Sequence, residues 1–533
     1  MMAVKRFPQL NHQRIDENPA IQIFGRRFYK DQTEIEYLAE FLLVFISPKF
    51  ITNPDQSFST GFPDDQDLST WPVDTPLKYK PHEHLPLKLF SFLTSSKLET
   101  RHTCHKKRFE QIISKLKTEI VTDYNMSEEQ VINLLELLLS GFVGVSANRT
   151  WCTQVFLPVS KGLIAAETMW KRIQGNNNPH ISWEDSINQG YFTFTNHDFM
   201  ARGGEVLYLQ LCNLKRILRS PEIITFEKEN KFKPGSGIQA LEDITENLIA
   251  LFEETAPISK LTKWIEDADP GTQQLIQRKD AKCGWCPEES WQEAYLFANE
   301  FANICKAAID PLEKIEMLTF CCVLQVLRSI CSQAARYSTV MTDKLRKLGG
   351  CNGFIWLITP PSLDDQVLKE TAKQNLMRVQ EIIFSSLKYP GILPPTPNAQ
   401  GRITNYDKEA DKHSQELFIH LGKRIGFIAP RTGPGARFTI SEKILRYLVL
   451  ALIPPGSKMT LKSFTDRMFC HYGMAVAGTE LKKAIRWTFP RQQLQSAEPQ
   501  KQWLENSLKA TGFLIPLSDA VSQIQNPFNQ NEI

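Results

Sequence analysis

A chain of 533 residues is too long for one ordinary hydrophobic core, so two to four domains are expected. Its 42% hydrophobic and 23% charged residues exclude a disordered or fibrous chain. The net charge of +3 is unevenly spread: from Lys423 to Arg486 twelve Lys/Arg meet three acids, so a polyanion is the natural partner of that end.

Met1 to Arg14 is mixed and polar, without the apolar stretch of a signal peptide. The longest apolar runs, 41–46, 134–145 and 447–453, are too short or too interrupted to span a bilayer. Eleven cysteines at irregular spacing fit reduced, mostly buried thiols better than a disulfide framework. The expectation is a soluble, cytoplasmic protein with no membrane partner.

In chain order, Asp31-Gln32-Thr33-Glu34 starts a helix with its core face on Ile35, Leu38, Phe41, Leu42 and Phe45. Residues 48–86 are rich in Pro, Asp, Ser and Thr and read as a long surface loop. A helical stretch at about 87–121 has a basic face (Lys97, Arg101, Lys106, Lys107, Arg108, Lys115, Lys117), which a solvated surface explains better than a binding strip. Ser127 to Gln130 is a capping box before an apolar helix. Helix is expected again at 161–173, a short strand at 191–195, and a helix from Val206 to Leu218. Residues 219–236 are charged and loop-like. From 237 to 388 the chain is almost all helix signal, broken at Asp310-Pro311 and by an extended run at Phe354–Ile358.

The expected fold class is mainly α: a multi-helix body with few short strands, plus a C-terminal winged-helix-like α+β module. The expected divisions are 1–95 (N-terminal helix and Pro-rich loop), 96–388 (helical body), 389–401 (a proline-rich linker) and 402–533 (the module). Within the module a helix to Ile425 leads into a β-hairpin whose turn is Arg431-Thr432-Gly433-Pro434-Gly435. Ser441 caps the next helix, which Pro454-Pro455-Gly456 stops, and Thr460 starts another. A second, degenerate winged-helix unit at 440–530 is a further possibility.

Several constellations contain residue types that can carry chemistry. Cys283-Gly284-Trp285-Cys286 is a C-x-x-C, but no strand–helix context suits a redox pair and no second ligand pair completes a zinc site. His82-Glu83-His84 reads as an exposed loop pair. Asn148-Arg149-x-Trp151-x-x-Gln154, and Asn196-His197-Asp198 with Arg202 and Glu205, group polar and aromatic residues as some active sites do, and as helix caps and buried hydrogen bonds do equally well. There is no phosphate loop, dinucleotide fingerprint, nucleophile elbow or zincin motif. No catalytic residue, metal or cofactor is assigned.

The basic end carries the functional expectation. Arg431 and Arg437 flank the hairpin tip, where a wing touches phosphates; Lys423 and Arg424 precede it. Lys458, Lys462 and Arg467 lie on or beside the following helix, and Lys482, Lys483 and Arg486 on the next. A protein-docking winged helix with a merely solvated basic face is the competing reading.

Residues 19–50, PAIQIFGRRFYKDQTEIEYLAEFLLVFISPKF, and the stretch through GFLIPLSDAVSQIQNPF at 512–528 resemble large proteins of bacterial phage-defence islands, in particular accessory subunits of Druantia-type systems. The resemblance implies a non-catalytic antiviral defence subunit working beside a separately encoded helicase or nuclease. The expectation is therefore DNA binding through the C-terminal module and partner docking through the body. The alternatives are a scaffold without nucleic-acid binding, or a nuclease with its site in 140–215.

Overall fold

The computed structural model describes residues 4–10, 17–25, 28, 32–52, 58, 60–92, 103–121, 126–140, 157–166, 169–170, 181–188, 192–193, 203–252, 256–269, 271–272, 280–490, 502–515 and 522–529. It is mainly helical.

The organising element is the helix Pro311–Tyr337. Asp310 caps it by accepting from Leu312 N, and Pro311 occupies the first turn, where its missing N–H costs nothing. Beyond Ile315 most of its residues are apolar or small, nearly all are buried, and the long polar ones among them, Gln325, Arg328 and Gln333, are buried on internal hydrogen bonds. A helix with that pattern must be covered all round. Its length and composition would suit a membrane span, but here the rest of the chain covers it. Around it pack Pro19–Phe24, Glu34–Ile46, Trp291–Lys306 and Gln366–Ser386, together with Gln415–Arg424 and Glu442–Leu452 from the C-terminal region. A satellite core joins Leu85–Phe92, Thr103–Glu119, Glu128–Ser140 and Ala256–Asp267.

Helix starts fall close to where cap chemistry places them. Ser127 and Gln130 exchange side-chain and backbone hydrogen bonds as a capping box. Ser441 accepts from Ile444 N and Thr460 from Ser463 N. The first capping box is shifted, since Thr33 pairs with Glu36 and Glu34 is already helical.

Other expectations need correction. Residues 48–86 are not a surface loop throughout. Lys49–Phe50 and Lys78–Tyr79 form a three-stranded sheet with Ala281–Lys282, and Lys49, Leu77 and Tyr79 are buried. A Pro-rich composition concealed strands too short to show alternation. The described residues within 161–173 form a 3-10 turn, Lys161–Leu163, and a strand, Met169–Trp170, paired with Phe192–Thr193. Part of 219–236 is a helix, Pro221–Glu229, with Pro in its first turn.

The expected divisions also fail as separate cores. One hydrophobic cluster runs from Val4 to Ile524 without a break at 389–401. The extended run before Pro360 becomes the strand Trp356–Leu357, which pairs in parallel with Met474–Ala475. The Trp356 ring packs on Phe427 and Phe438 at 5.0 and 5.8 Å. The presumed linker is pinned too: the Gln22 amide both donates to Leu393 O and accepts from Leu393 N.

In the C-terminal region the hairpin forms, with Ile428–Ala429 antiparallel to Arg437–Phe438. Glu442–Leu452 then leads into a strand Lys458–Thr460, the helices Leu461–Tyr472, Gly478–Thr488 and Gln502–Ala510, and the strands Leu514–Ile515 and Gln523–Gln525. Gln523–Gln525 lies between the other two strands of this antiparallel sheet.

Candidate nucleic-acid interface

The expected cationic residues divide by environment. Arg437 is a correction: it is buried beneath the hairpin, its Nε donates to Thr359 Oγ1 at 3.2 Å, and a terminal N–H donates to Pro361 O at 2.8 Å. It fastens the hairpin to the body and is not free to meet phosphate. Arg424 is occupied as well, 2.6 Å from Glu34 Oε2. Lys423 beside it is half-buried. Arg431 is exposed at the hairpin turn, where Gly433 and Gly435 supply the left-handed backbone. Lys458 is exposed on its strand opposite Gln525. Lys482 and Arg486 face outward from Gly478–Thr488, whose apolar side packs on Gln366–Ser386. Lys483 lies 3.9 Å from Glu480 and over the Phe469 ring.

Lys462 and Arg467 enter a cleft of about 1100 Å³ between the C-terminal region and the helical body. Across it stand Lys231 and Lys233, with Lys306 on the wall. These three body lysines were not recognised from the sequence. The available signal was Lys231-Phe232-Lys233-Pro234-Gly235-Ser236, a basic, glycine-containing loop immediately before a helix. Residues in the first turns of three helices, Ser236, Lys462-Ser463 and Thr479-Glu480, line the same space.

The loop that carries Lys231 and Lys233 is held in place. Lys231 sits in the left-handed region at φ 59°, as does Gly235. The Glu227 carboxylate accepts from Gly235 N at 3.1 and 3.2 Å and from Tyr295 OH at 2.9 Å. The Phe232 ring packs against Phe226, Tyr295 and His471. Such anchoring reduces the ordering cost of binding.

Acids temper the cleft. Lys306 is paired with Asp243. Burial raises the Asp466 carboxyl above its ordinary range and Glu480 adds to this, while Lys462, Lys483 and Lys231 pull the other way. That those lysines from both halves of the chain act on one carboxylate is itself a sign of their convergence.

The cleft floor is braced from behind. Arg328 and Glu300 form a fully buried pair, Arg328 also donates to His471 O, and His471 Nδ1 lies 2.8 Å from Glu300 Oε1. Burial works against the Glu300 charge, yet Arg328 and His471 outweigh it and hold the carboxyl low. Burial lowers the His471 imidazole despite Glu300. Every partner here is internal, so the group acts as a structural tie.

The remaining candidates resolve less favourably. Cys283 and Cys286 are buried, Cys286 Sγ donates to Phe7 O at 3.5 Å, and burial pushes the Cys286 thiol up. Among the described residues no three His, Cys, Asp or Glu side chains gather as a metal site. His82 and His84 stack at 5.5 Å, with His84 3.8 Å from Glu266. On the basic helix Thr103–Glu119, Arg108 bonds Asp269, Lys115 donates to Asp267 O and Lys117 meets Glu129. Asn148, Arg149, Trp151, Gln154, Asn196, His197, Asp198 and Arg202 lie outside the described residues, whereas Glu205 is buried and accepts from Tyr79 OH. No family model, curated protein or solved structure matches the chain.

Proposed function

We propose that this chain is a non-catalytic subunit that holds DNA by its phosphate backbone in the cleft shared by the C-terminal region and the helical body. The observation that carries the reading is the convergence of Lys231 and Lys233 with Lys462 and Arg467 around one open cleft. Cations at such a surface neutralise phosphates and release counterions, a sequence-independent affinity. The exposed Arg431, Lys458, Lys482 and Arg486 extend the positive surface beyond the cleft.

The connectivity of 442–525 favours a winged-helix-like unit lying C-terminal to the hairpin. Among the described residues its chain order is helix, strand, helix, the short strand Met474–Ala475 that pairs with the body, two helices, then two strands, with the last strand central in the sheet. That order, apart from one extra helix and the strand Met474–Ala475, supports the winged-helix reading, in which the hairpin at 428–438 serves as an attachment to the body. Membership of an antiviral defence complex, beside a helicase or nuclease, is the part of this reading that rests on the resemblance of residues 19–50 and 512–528.

The test is fluorescence anisotropy of the full chain with a labelled DNA duplex at several salt concentrations. Binding whose logarithm falls linearly with log salt, by about 0.9 per phosphate contacted, is the expected result. Absence of binding at low salt would overturn it and favour a protein dock, for which an acidic partner segment suits the same cleft.

A further inference from the structure

The structure assigns a second chemistry to the cleft: we propose that Cys470 and Cys351 are a thiol modification site, oxidised by small anionic disulfides of the glutathione type to an internal Cys351–Cys470 disulfide. Every other described cysteine is buried, and these two alone are partly exposed. They lie 119 residues apart in sequence, and the fold sets them side by side. Cys351 Sγ is 3.2 Å from Cys470 O, and Asn352 Nδ2 donates to the same carbonyl at 2.8 Å.

Their surroundings suit thiol–disulfide exchange. Cys470 lines the basic cleft together with Lys462 and Arg467, which lie on its own helix, and with Lys231 and Lys233 across it. An anionic disulfide is drawn to that charge, and the volume accommodates a small peptide. The Cys351 thiol and then Arg467 favour the Cys470 thiolate over the opposing effect of burial, and the Cys470 thiol is held below the usual thiol range. The hydrogen bond with Cys470, and then burial, hold the Cys351 thiol above it. Cys470 lines the cleft and so is the cysteine an incoming disulfide meets, while Cys351, whose Sγ lies beside it, is placed to resolve the adduct. Cys351 sits in the 3-10 turn Gly350–Asn352, between glycines in left-handed backbone at 350 and 353, so its side chain can turn without disturbing a helix.

The Cys470 thiolate attacks one sulfur of the oxidant, forming a mixed disulfide and expelling one thiolate. Cys351 then loses its proton to solvent and attacks Cys470 Sγ, expelling the second thiolate, which takes up a proton. The protein dithiol loses two electrons and the oxidant disulfide gains them. The site does not depend on the nucleic-acid reading.

The test is peptide mass spectrometry of the folded full chain after incubation with oxidised glutathione and alkylation. The expected result is a Cys351–Cys470 linked peptide pair that dithiothreitol removes. In Cys351→Ser, glutathione should remain on Cys470; in Cys470→Ser, neither the linkage nor the adduct should form. A wild-type chain without the linked pair, or modified only at Cys351, would overturn the assignment. So would a wild-type chain that retains glutathione on Cys470 as the Ser variant does.

Discussion

Lys49 shows how one buried residue sets a measurable pH dependence. Its amine is enclosed, donating to Phe45 O and Ser47 O at 2.8 and 2.9 Å and facing the rings of Phe58 and Tyr208. Burial lowers it from the ordinary lysine range to about 7. The unfolded chain therefore binds a proton that the folded chain releases between pH 7 and about 10. In that window this group makes folding more favourable as pH rises, by up to about 1.4 kcal/mol per pH unit, and below pH 7 the penalty is complete. Lys49→Met should accordingly lose stability relative to wild type between pH 7 and pH 9, measured by urea unfolding. A difference that stays constant across that range would contradict the assignment. Nothing in the sequence marked Lys49, because a lysine in a Pro-rich stretch reads as solvated until the sheet closes over it. Arg437 misled for the same reason: a hairpin cation looks exposed when the strand's other neighbour is unknown.

At the scale of elements, local chemistry was legible and distant pairing was not. Caps at Ser441 and Thr460 depend on two or three neighbouring residues, and both were readable. The parallel pair of Trp356–Leu357 with Met474–Ala475 depends on residues more than a hundred positions apart, and no periodicity announces a two-residue strand. Gly473 joins the two levels. It ends Leu461–Tyr472 in the left-handed conformation at φ 65°, and its carbonyl accepts from Trp356 N at 2.9 Å. A Cβ there would stand 2.7 Å from Phe354 O, a backbone atom that cannot swing aside. Gly473→Ala should therefore cost more than the roughly 1–2 kcal/mol of left-handed strain alone, seen as a lowered thermal midpoint. A loss within the ~0.5 kcal/mol of an ordinary surface substitution would show that this junction is not as described.

At the scale of the whole molecule, one main core is shared by the body and the C-terminal region, a satellite core lies beside it, and the cleft opens on the surface. The C-terminal region leans on the body through Trp356, through Arg328 on His471 O, and through Asn303 donating to Ala451 O at 2.8 Å. Residues 402–533 expressed alone should consequently lack cooperative unfolding and bind a hydrophobic dye, whereas co-expression with residues 1–401 should restore a folded complex. A sharp, dye-free unfolding transition of the isolated segment would contradict the continuous core. The sequence located half of the candidate site, Lys462 and Arg467, because charge density survives in one dimension. It missed Lys231 and Lys233 because only the packing of the two halves brings those lysines opposite.

That juxtaposition is the claim to test most directly. The measurement is the salt dependence of DNA binding by the full chain with Lys231→Ala, with Lys462→Ala, and with both. One substitution lies in the body and the other in the C-terminal region. Each should weaken binding and reduce the slope of log affinity against log salt by about one. The double variant should lose both increments. A slope that responds to Lys462→Ala but not to Lys231→Ala would confine the contact to the C-terminal region and contradict a shared cleft.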